Sequence, residues 1–383
     1  MTLTRFVTRN AFRSRRRSVL TVLSISFSLL LLTFLMTIWR SFYIDKGTPE
    51  SAARLMTRHK VSLTFFLPAF YREKIRAVPG VAHVVPMTWF GGRYKDDKPE
   101  NFFAQFATDP SEYMQVATDK SVPADQLAAW QRDRAGCMVD RELAARYGWK
   151  LGDRVMLQGV LFPVNLELTI RAIYTAVNPN KSLYFHTTYL EALLPFFKGQ
   201  AGFFFTLANS PEAVAGVERG VDDMFRNSPQ PTKTETEKHF QLEFIAMLGN
   251  VKAFILGIGA AVVFAILLVS ANTMAMSIRE RTREVAILRT LGFTRQAILS
   301  LFVGEAVLLS LLGGALGVMV GSLLVKAMTK SPMAIGVGTG MKVTPATMLA
   351  ALLVAALVGL ISAFPPSYHA SRMNISEGIR YLG

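Results

Sequence analysis

Four stretches of this chain are too long and too apolar for the interior of an ordinary soluble protein. They run from Ser18 to Trp39, Ala253 to Ile278, about Ala297 to Val325, and Val343 to about Pro366. At 1.5 Å per helical residue, each can cross about 30 Å of hydrocarbon. The first two carry no charge and the third carries one acid, Glu305. Only 18% of the chain is charged, against about a quarter in a typical soluble domain. The first stretch exceeds the ~7–15-residue apolar core of a cleaved signal peptide, and no Ala-x-Ala-like site follows Trp39, so it is expected to remain as an anchor.

The formal net charge of +15 would suit a nucleic-acid binder if it lay on one folded face. It does not. Between Asp45 and Glu243 there are 24 Lys and Arg against 23 Asp and Glu, whereas the remainder holds 18 against 4. The excess flanks the apolar stretches, which is a membrane-topology pattern, and no nucleic-acid partner is expected. Arg5, Arg9, Arg13, Arg15, Arg16 and Arg17 precede the first span. Arg279, Arg281, Arg283, Arg289 and Arg295 fill the segment between the second and third, and Arg372 and Arg380 lie in the tail. With four spans these segments share one side, and the positive-inside bias makes that side cytoplasmic, both termini included. Lys326, Lys330 and Lys342 run against the trend but are outnumbered. The N-terminal basic residues are spaced for a short helix held on anionic membrane lipids, the alternative being a disordered basic tail.

The expected organisation is a membrane protein of four transmembrane α-helices with an α+β extracytoplasmic domain inserted between helices 1 and 2. In residue numbers it is a cytoplasmic basic segment (1–17), span 1 (18–44), the domain with its stalk (45–244) and span 2 (245–278). A cytoplasmic helix (279–296), span 3 (297–326), an outer loop (327–342), span 4 (343–366) and a cytoplasmic tail (367–383) follow. Within the domain, helices are expected at Pro68–Arg76, from Pro110, at Arg141–Tyr147 between an Asp140 cap and a Gly148 stop, and from Ser210 and Pro211 to Phe225. Strands are expected at Val81–Val85, Phe102–Ala107, Gly136–Val139, Arg154–Gln158, Leu166–Tyr174, Ser182–Phe185 and Gly202–Leu207. Asn227–Lys233 reads as a loop into a helical stalk continuous with span 2. The single cysteine, Cys137, reads as a core residue and excludes an intrachain disulfide. No HExxH or CxxC spacing and no Gly-x-Ser-x-Gly occurs, so neither catalytic nor metal residues are assigned.

The segment Ile278-Arg-Glu-Arg-Thr-Arg-Glu-Val-Ala-Ile-Leu-Arg-Thr-Leu-Gly-Phe-Thr-Arg-Gln is no passive connector. Ser277–Leu291 is expected as one amphipathic helix with Val285, Leu288 and Leu291 on its apolar face. Gly292 can end it in the left-handed conformation, and Thr294 can cap span 3. Such an elbow suits either a docking surface for a cytosolic protein or a basic helix resting on headgroups.

Arg279 to Gly292, followed by Gly304-Glu305-Ala306, closely resembles the ABC-transporter permeases of the MacB/FtsX/LolC type. So do Pro365-Pro366, Ala370-Ser371-Arg372 and Glu377-Gly378-Ile379-Arg380 in the tail, and Val78-Pro79-Gly80-Val81 and Val139 to Val155 in the domain. The resemblance implies a bacterial inner-membrane permease in a homodimer, or a close heterodimer, with a cytosolic ABC ATPase and with a periplasmic adaptor as a further candidate partner. It makes Arg279, Glu280, Arg283, Glu284, Leu288 and Arg289 the expected ATPase contacts. ATP and magnesium would be held by that partner, since no Gly-x-x-x-x-Gly-Lys-Ser/Thr occurs here and no cofactor is assigned to this chain. The implied function is to couple ATP hydrolysis to motion of the outer domain, driving export or extraction from the periplasm or outer leaflet. The alternative is a switch that activates an extracytoplasmic partner such as a cell-wall hydrolase.

Glu305 lies about ten residues into span 3, where an unpaired charge costs about 2.5–3.5 kcal/mol, so it is expected to be neutralised or paired, an arginine of the same elbow being one candidate partner, as a structural anchor; the alternative is a direct transport role. Gly313, Gly317 and Gly321 form a small-residue stripe for close helix contact, within one subunit or across a dimer.

Overall fold

The computed structural model describes residues 15–45, 49–98, 101–176, 181–246, 250–330 and 341–372. The N-terminal basic helix expected before residue 15, the outer loop at 331–340 and the tail from 373 lie outside the described residues. The chain divides into a unit of residues 1–45, 250–327 and 341–383, and a second of residues 46–249 with 328–340.

The first unit contains four helices long and apolar enough to cross a membrane, Arg16–Ile44, Val251–Glu280, Arg295–Thr329 and Pro345–Arg372. Span 2 starts at Val251 rather than 245, because the Asn250 side chain accepts from Ala253 N–H at 3.0 Å and opens a new helix. A separate helix, Glu237–Ala246, precedes it, and the expected stalk continuity falls on residues 247–249, outside the description. Span 4 does not stop at Pro366. It runs to Arg372, and the buried Ala370 beyond the prolines packs with Ile278, Val285, Ile298 and Phe302.

Glycines set how closely these helices approach. A Cβ on Gly313 would stand 2.8 Å from Ile25, and one on Gly317 only 2.5 Å from the Ser26 carbonyl oxygen. On Gly321 it would meet Leu30 and Thr33 at 3.4 Å. The stripe is therefore occupied by span 1 of the same chain, where close van der Waals contact supplies the attraction that the hydrophobic effect cannot supply in lipid. Leu29, Ile25, Ile266, Ala355 and Val358 fill the centre, and Ser270 and Ser362 share a 2.7 Å hydrogen bond between spans 2 and 4.

The second unit is built on strands β1 (Arg54–His59), β2 (Leu67–Pro68), β3 (Val81–Trp89), β4 (Ala104–Thr108), β5 (Lys120–Ser121) and β6 (Gly136–Asp140). It continues with β7 (Arg154–Leu157), β8 (Leu166–Ala176), β9 (Ser182–His186), β10 (Gln200–Ala201), β11 (Phe203–Ala208) and β12 (Thr232–Thr236). The main sheet runs β12-β1-β11-β3-β4-β9-β6-β8-β5, with β7 on β8 and β10 paired with β2 apart from it. Pairs β4–β9 and β6–β8 are parallel and the others antiparallel, so this is a mixed α/β domain. Its helices bury Tyr71, Ile75, Val217 and Val221 on one side and Tyr113 and Trp130 on another.

Asp140 caps Arg141–Tyr147 by accepting from Glu142 and Leu143 N–H, and Gly148 ends it at φ +69°. Elsewhere the expected boundaries shift. The first helix starts at Tyr71 because Pro68 belongs to β2. Ser210 precedes a short 3-10 turn, Pro211–Ala213, and caps no backbone N–H. Its hydroxyl bonds the Glu212 carboxylate instead. The end of the loop expected to 233 is strand β12, whose Thr232–Thr236 pairs residue by residue with β1.

Candidate functional site: the elbow between spans 2 and 3

The elbow is not one helix. Span 2 ends at Glu280, Arg281 breaks it with φ −108° and ψ 13°, and a second helix runs Thr282–Thr290. The break turns the Arg281 side chain into the protein, where Nη1 donates to Glu305 Oε2 at 2.8 Å. Only 8% of the arginine and 3% of the glutamate side chain are exposed. A charge on span 3 that would be costly alone is thus tied to the elbow.

The far end closes in a Schellman motif. Gly292, at φ +90°, donates to the Arg289 carbonyl at 3.1 Å, and Phe293 N–H reaches the Leu288 carbonyl at 3.1 Å. Thr294 Oγ1 then accepts from Ala297 N–H at 3.2 Å and opens span 3. Both ends of the short helix are held by specific bonds, so it is a rigid corner.

Its faces differ from the sequence expectation. Val285 and Ala286 are buried, and Leu288 packs against Ile278, Ile298 and Phe302, so Leu288 is mainly a base residue. Leu291, expected on that buried face, is 70% exposed because the helix has already ended. Ile287 at 49% and Phe293 at 46% join it as an apolar tip. Beside it a cavity of about 170 Å³ is lined by Arg281, Glu284, Ile287, Leu288, Leu301 and Phe302. Of the charged candidates, Arg279 and Arg283 are exposed, while Glu284 and Arg289 are half-buried. Glu280 is exposed and pairs with Arg17 at the start of span 1. Sequence reasoning missed the apolar tip and Arg17. Leu291 and Phe293 on either side of Gly292, with Ile287 one turn before Leu291, were the available signal for the tip.

A second cluster lies wholly within the inserted domain, where the helix Glu237–Ala246 roots on the sheet. Arg58 donates to Glu235 Oε1 at 2.9 Å and Glu243 Oε2 at 2.7 Å, and Arg54 donates to Glu237 Oε2 at 2.9 Å and to Asp119. Phe240 seats the same helix against the core containing Met56 and Phe205. Burial alone would raise the Glu243 carboxyl, but Lys233 and Arg58 hold it below the ordinary range. Asp119 is likewise lowered, against its own desolvation, by Lys120 and Arg54. Glu235, His239 and Glu243 are close enough to one another to suggest a cation site. The Lys233 ammonium already sits on Glu243 and 3.4 Å from Glu235, so two fixed cations neutralise the two carboxylates. Cys137 is fully buried, its thiol pushed up by burial and by nearby Asp133.

Comparisons agree in kind with both units. The family model for the MacB-like periplasmic core domain matches residues 18–224, and that for the FtsX-like permease C-terminal region matches residues 253–375. An uncharacterized ABC transporter permease of Methanocaldococcus jannaschii, MJ1507, is 22% identical and covers 98% of this chain and 96% of that protein. The macrolide export ATP-binding/permease protein MacB of Syntrophobacter fumaroxidans is 36% identical over 113 residues, which is 29% of this chain and 15% of that one. YknZ of Bacillus subtilis, an uncharacterized ABC transporter permease, is 32% identical over 157 residues, or 38% of each. These last two matches cover less than two thirds of the relatives. Among solved structures, the periplasmic region of MacB from Actinobacillus actinomycetemcomitans superposes with a TM-score of 0.38 at 8% identity, over 54% of this chain and 97% of that one.

Proposed function

The chain belongs to the MacB/FtsX family of ABC transporter permeases, and on that premise we propose that it couples a separate cytosolic ATPase to its inserted domain across the membrane. The arginine-rich ends of the spans face the cytoplasm in this reading, which puts both termini and the elbow inside and the domain outside. The site is the bacterial inner membrane. The observation that carries the proposal is the elbow's construction, a short helix locked to span 3 by a buried ion pair yet offering Ile287, Leu291 and Phe293 to solvent. Exposed apolar groups rimmed by charge mark a protein-binding surface, and a rigid corner transmits force where a flexible loop would absorb it. Arg279, Glu280, Arg283, Glu284 and Arg289 form the polar rim of the contact, with Gly292 holding its angle.

The ATPase supplies nucleotide hydrolysis, and this chain converts the resulting displacement of the elbow into movement of spans 2 and 3. The root helix Glu237–Ala246, bound to the sheet through Arg54 and Arg58, carries that movement into the domain. The output is export or extraction of a substrate from the periplasm or outer leaflet, by two permease copies acting together.

Co-purification tests the docking step. Arg283→Glu, Glu284→Arg and Arg289→Glu combined with Leu291→Glu are expected to abolish recovery of the ATPase while leaving the permease folded. Undiminished recovery would defeat the proposal.

A further inference from the structure

The two ends of the inserted domain's main sheet meet. In the strand order β1 lies next to the edge strand β12, and β5 forms the opposite edge. Yet Arg54 of β1 pairs with Asp119, the residue immediately before β5. The sheet therefore curls around its own core, in which Met56, Tyr174, Tyr184 and Phe205 pack together. Among the described residues no backbone ladder joins the two ends. Side chains close the gap instead.

Charge governs this closure. The Arg54 and Lys120 side chains are 4% and 5% exposed, so two cations are held away from water. Lys120 Nζ lies 3.6 Å from Asp119 and 5.8, 5.9 and 5.8 Å from the ring centres of Tyr113, Tyr174 and Tyr184. Arg54 stands 5.5 Å from the Phe205 ring centre and divides its donors between Asp119 and Glu237, the latter at 2.9 Å. Asp140 is spent on capping its own helix and makes no ion pair with Lys120 among the described residues. Two cations are thus balanced by two carboxylates, and one of these, Glu237, belongs to the first turn of the root helix. The strap Asp119–Ser121 has little backbone support. Strand β5 pairs only Lys120 with Ala176 and Ser121 with Thr175, at the end of β8.

We propose that Arg54 is an electrostatic latch through which the root helix holds this strap closed. With Glu237 in place the four charges balance. When the first turn of the helix withdraws, Arg54 and Lys120 are left to share Asp119, and a buried charge without compensation is costly. The strap is the part that yields and admits water, because two residue pairs are all that its backbone must give up. Coupling of this kind is reciprocal, so opening the strap also loosens the first turn of the helix. The latch is a property of the domain's own charges. Only its use as a receiver of ATP-driven movement rests on the proposed coupling, so each can fail without the other.

Amide exchange read by mass spectrometry tests the latch on the full chain in detergent, with no ATPase or nucleotide added. The Glu237 carboxylate bonds only Arg54 among the described residues. Glu237→Gln is nevertheless expected to speed exchange about tenfold in peptides covering 119–121 and 175–176, because it unbalances the buried charges. Adding Lys120→Met removes the second cation and should bring exchange back to within about twofold of the unaltered chain. Arg154→Gln, which breaks an exposed pair with Glu167 at the far end of β8, should leave both peptides unchanged. Unchanged exchange at 119–121 and 175–176 in Glu237→Gln overturns the latch. So does a double variant that exchanges as fast as Glu237→Gln alone or faster, which would make Lys120 an ordinary packing residue. Loss of protection throughout the domain, the helix Arg141–Tyr147 included, also overturns it, since the charges would then hold the whole fold rather than the strap.

Discussion

The Arg281–Glu305 pair sets the energetic stakes at the scale of single residues. Removing one partner leaves the other buried and uncompensated, which costs about 3–5 kcal/mol, whereas replacing both with apolar groups is often near neutral. Arg281→Leu and Glu305→Leu should therefore each lower the thermal transition in detergent, and the double substitution should recover most of the loss. Additive losses would mean that the two side chains act separately. Gly317 offers a second test, since Gly317→Leu drives side-chain atoms into the Ser26 carbonyl and should cost about 1–3 kcal/mol through overpacking. Leucine at Gly257, which has open space around it, should be tolerated. That Glu305 had to be neutralised or paired could be read from the sequence, because its cost in hydrocarbon is large. Which arginine serves could not, because the choice depends on a helix break at Arg281 within a run of strong helix formers.

Among the elements, the root helix Glu237–Ala246 is the one whose attachment depends most on charge. Arg58→Met leaves Glu235, 1% exposed, with Lys233 as its nearest cation, and should cost about 3 kcal/mol. Amide-exchange protection should fall first in this helix. Acid should act similarly. Asp119 and Glu243 have folded pKa values below their ordinary 3.8 and 4.5. Their contribution is complete above those ordinary values and is lost as pH falls through the lowered ones. Nearby Glu218, raised first by burial and then by Asp222, works in the opposite sense. Protection of the root helix should thus hold from pH 7 to about 4.5 and fall below it, and a loss already complete at pH 6 would contradict the assignment. Elements with strong local signals were legible, among them the spans, the Asp140–Gly148 helix, and the turn at Gly292. Strands β1 and β12 were not. Arg-Leu-Met-Thr-Arg-His and Thr-Lys-Thr-Glu-Thr look like surface segments until paired, and their charges are buried only because they neutralise one another across the sheet.

For the molecule as a whole, the proposed function needs the elbow and the inserted domain to lie on opposite sides of one membrane. Span count was readable from the sequence, because it follows from the energetics of insertion, and four long apolar helices are present; arginine placement predicts the orientation. Cargo was not readable, since no catalytic or cofactor constellation stands out in the sequence. The decisive measurement is thiol labelling in sealed membrane vesicles with an impermeant reagent. Single cysteines replace exposed Arg141 in the domain and exposed Thr290 at the elbow, while the fully buried Cys137 stays silent. Position 141 should react only from outside and position 290 only from the cytoplasmic face. Reaction of both from the same side would contradict transmission across the membrane.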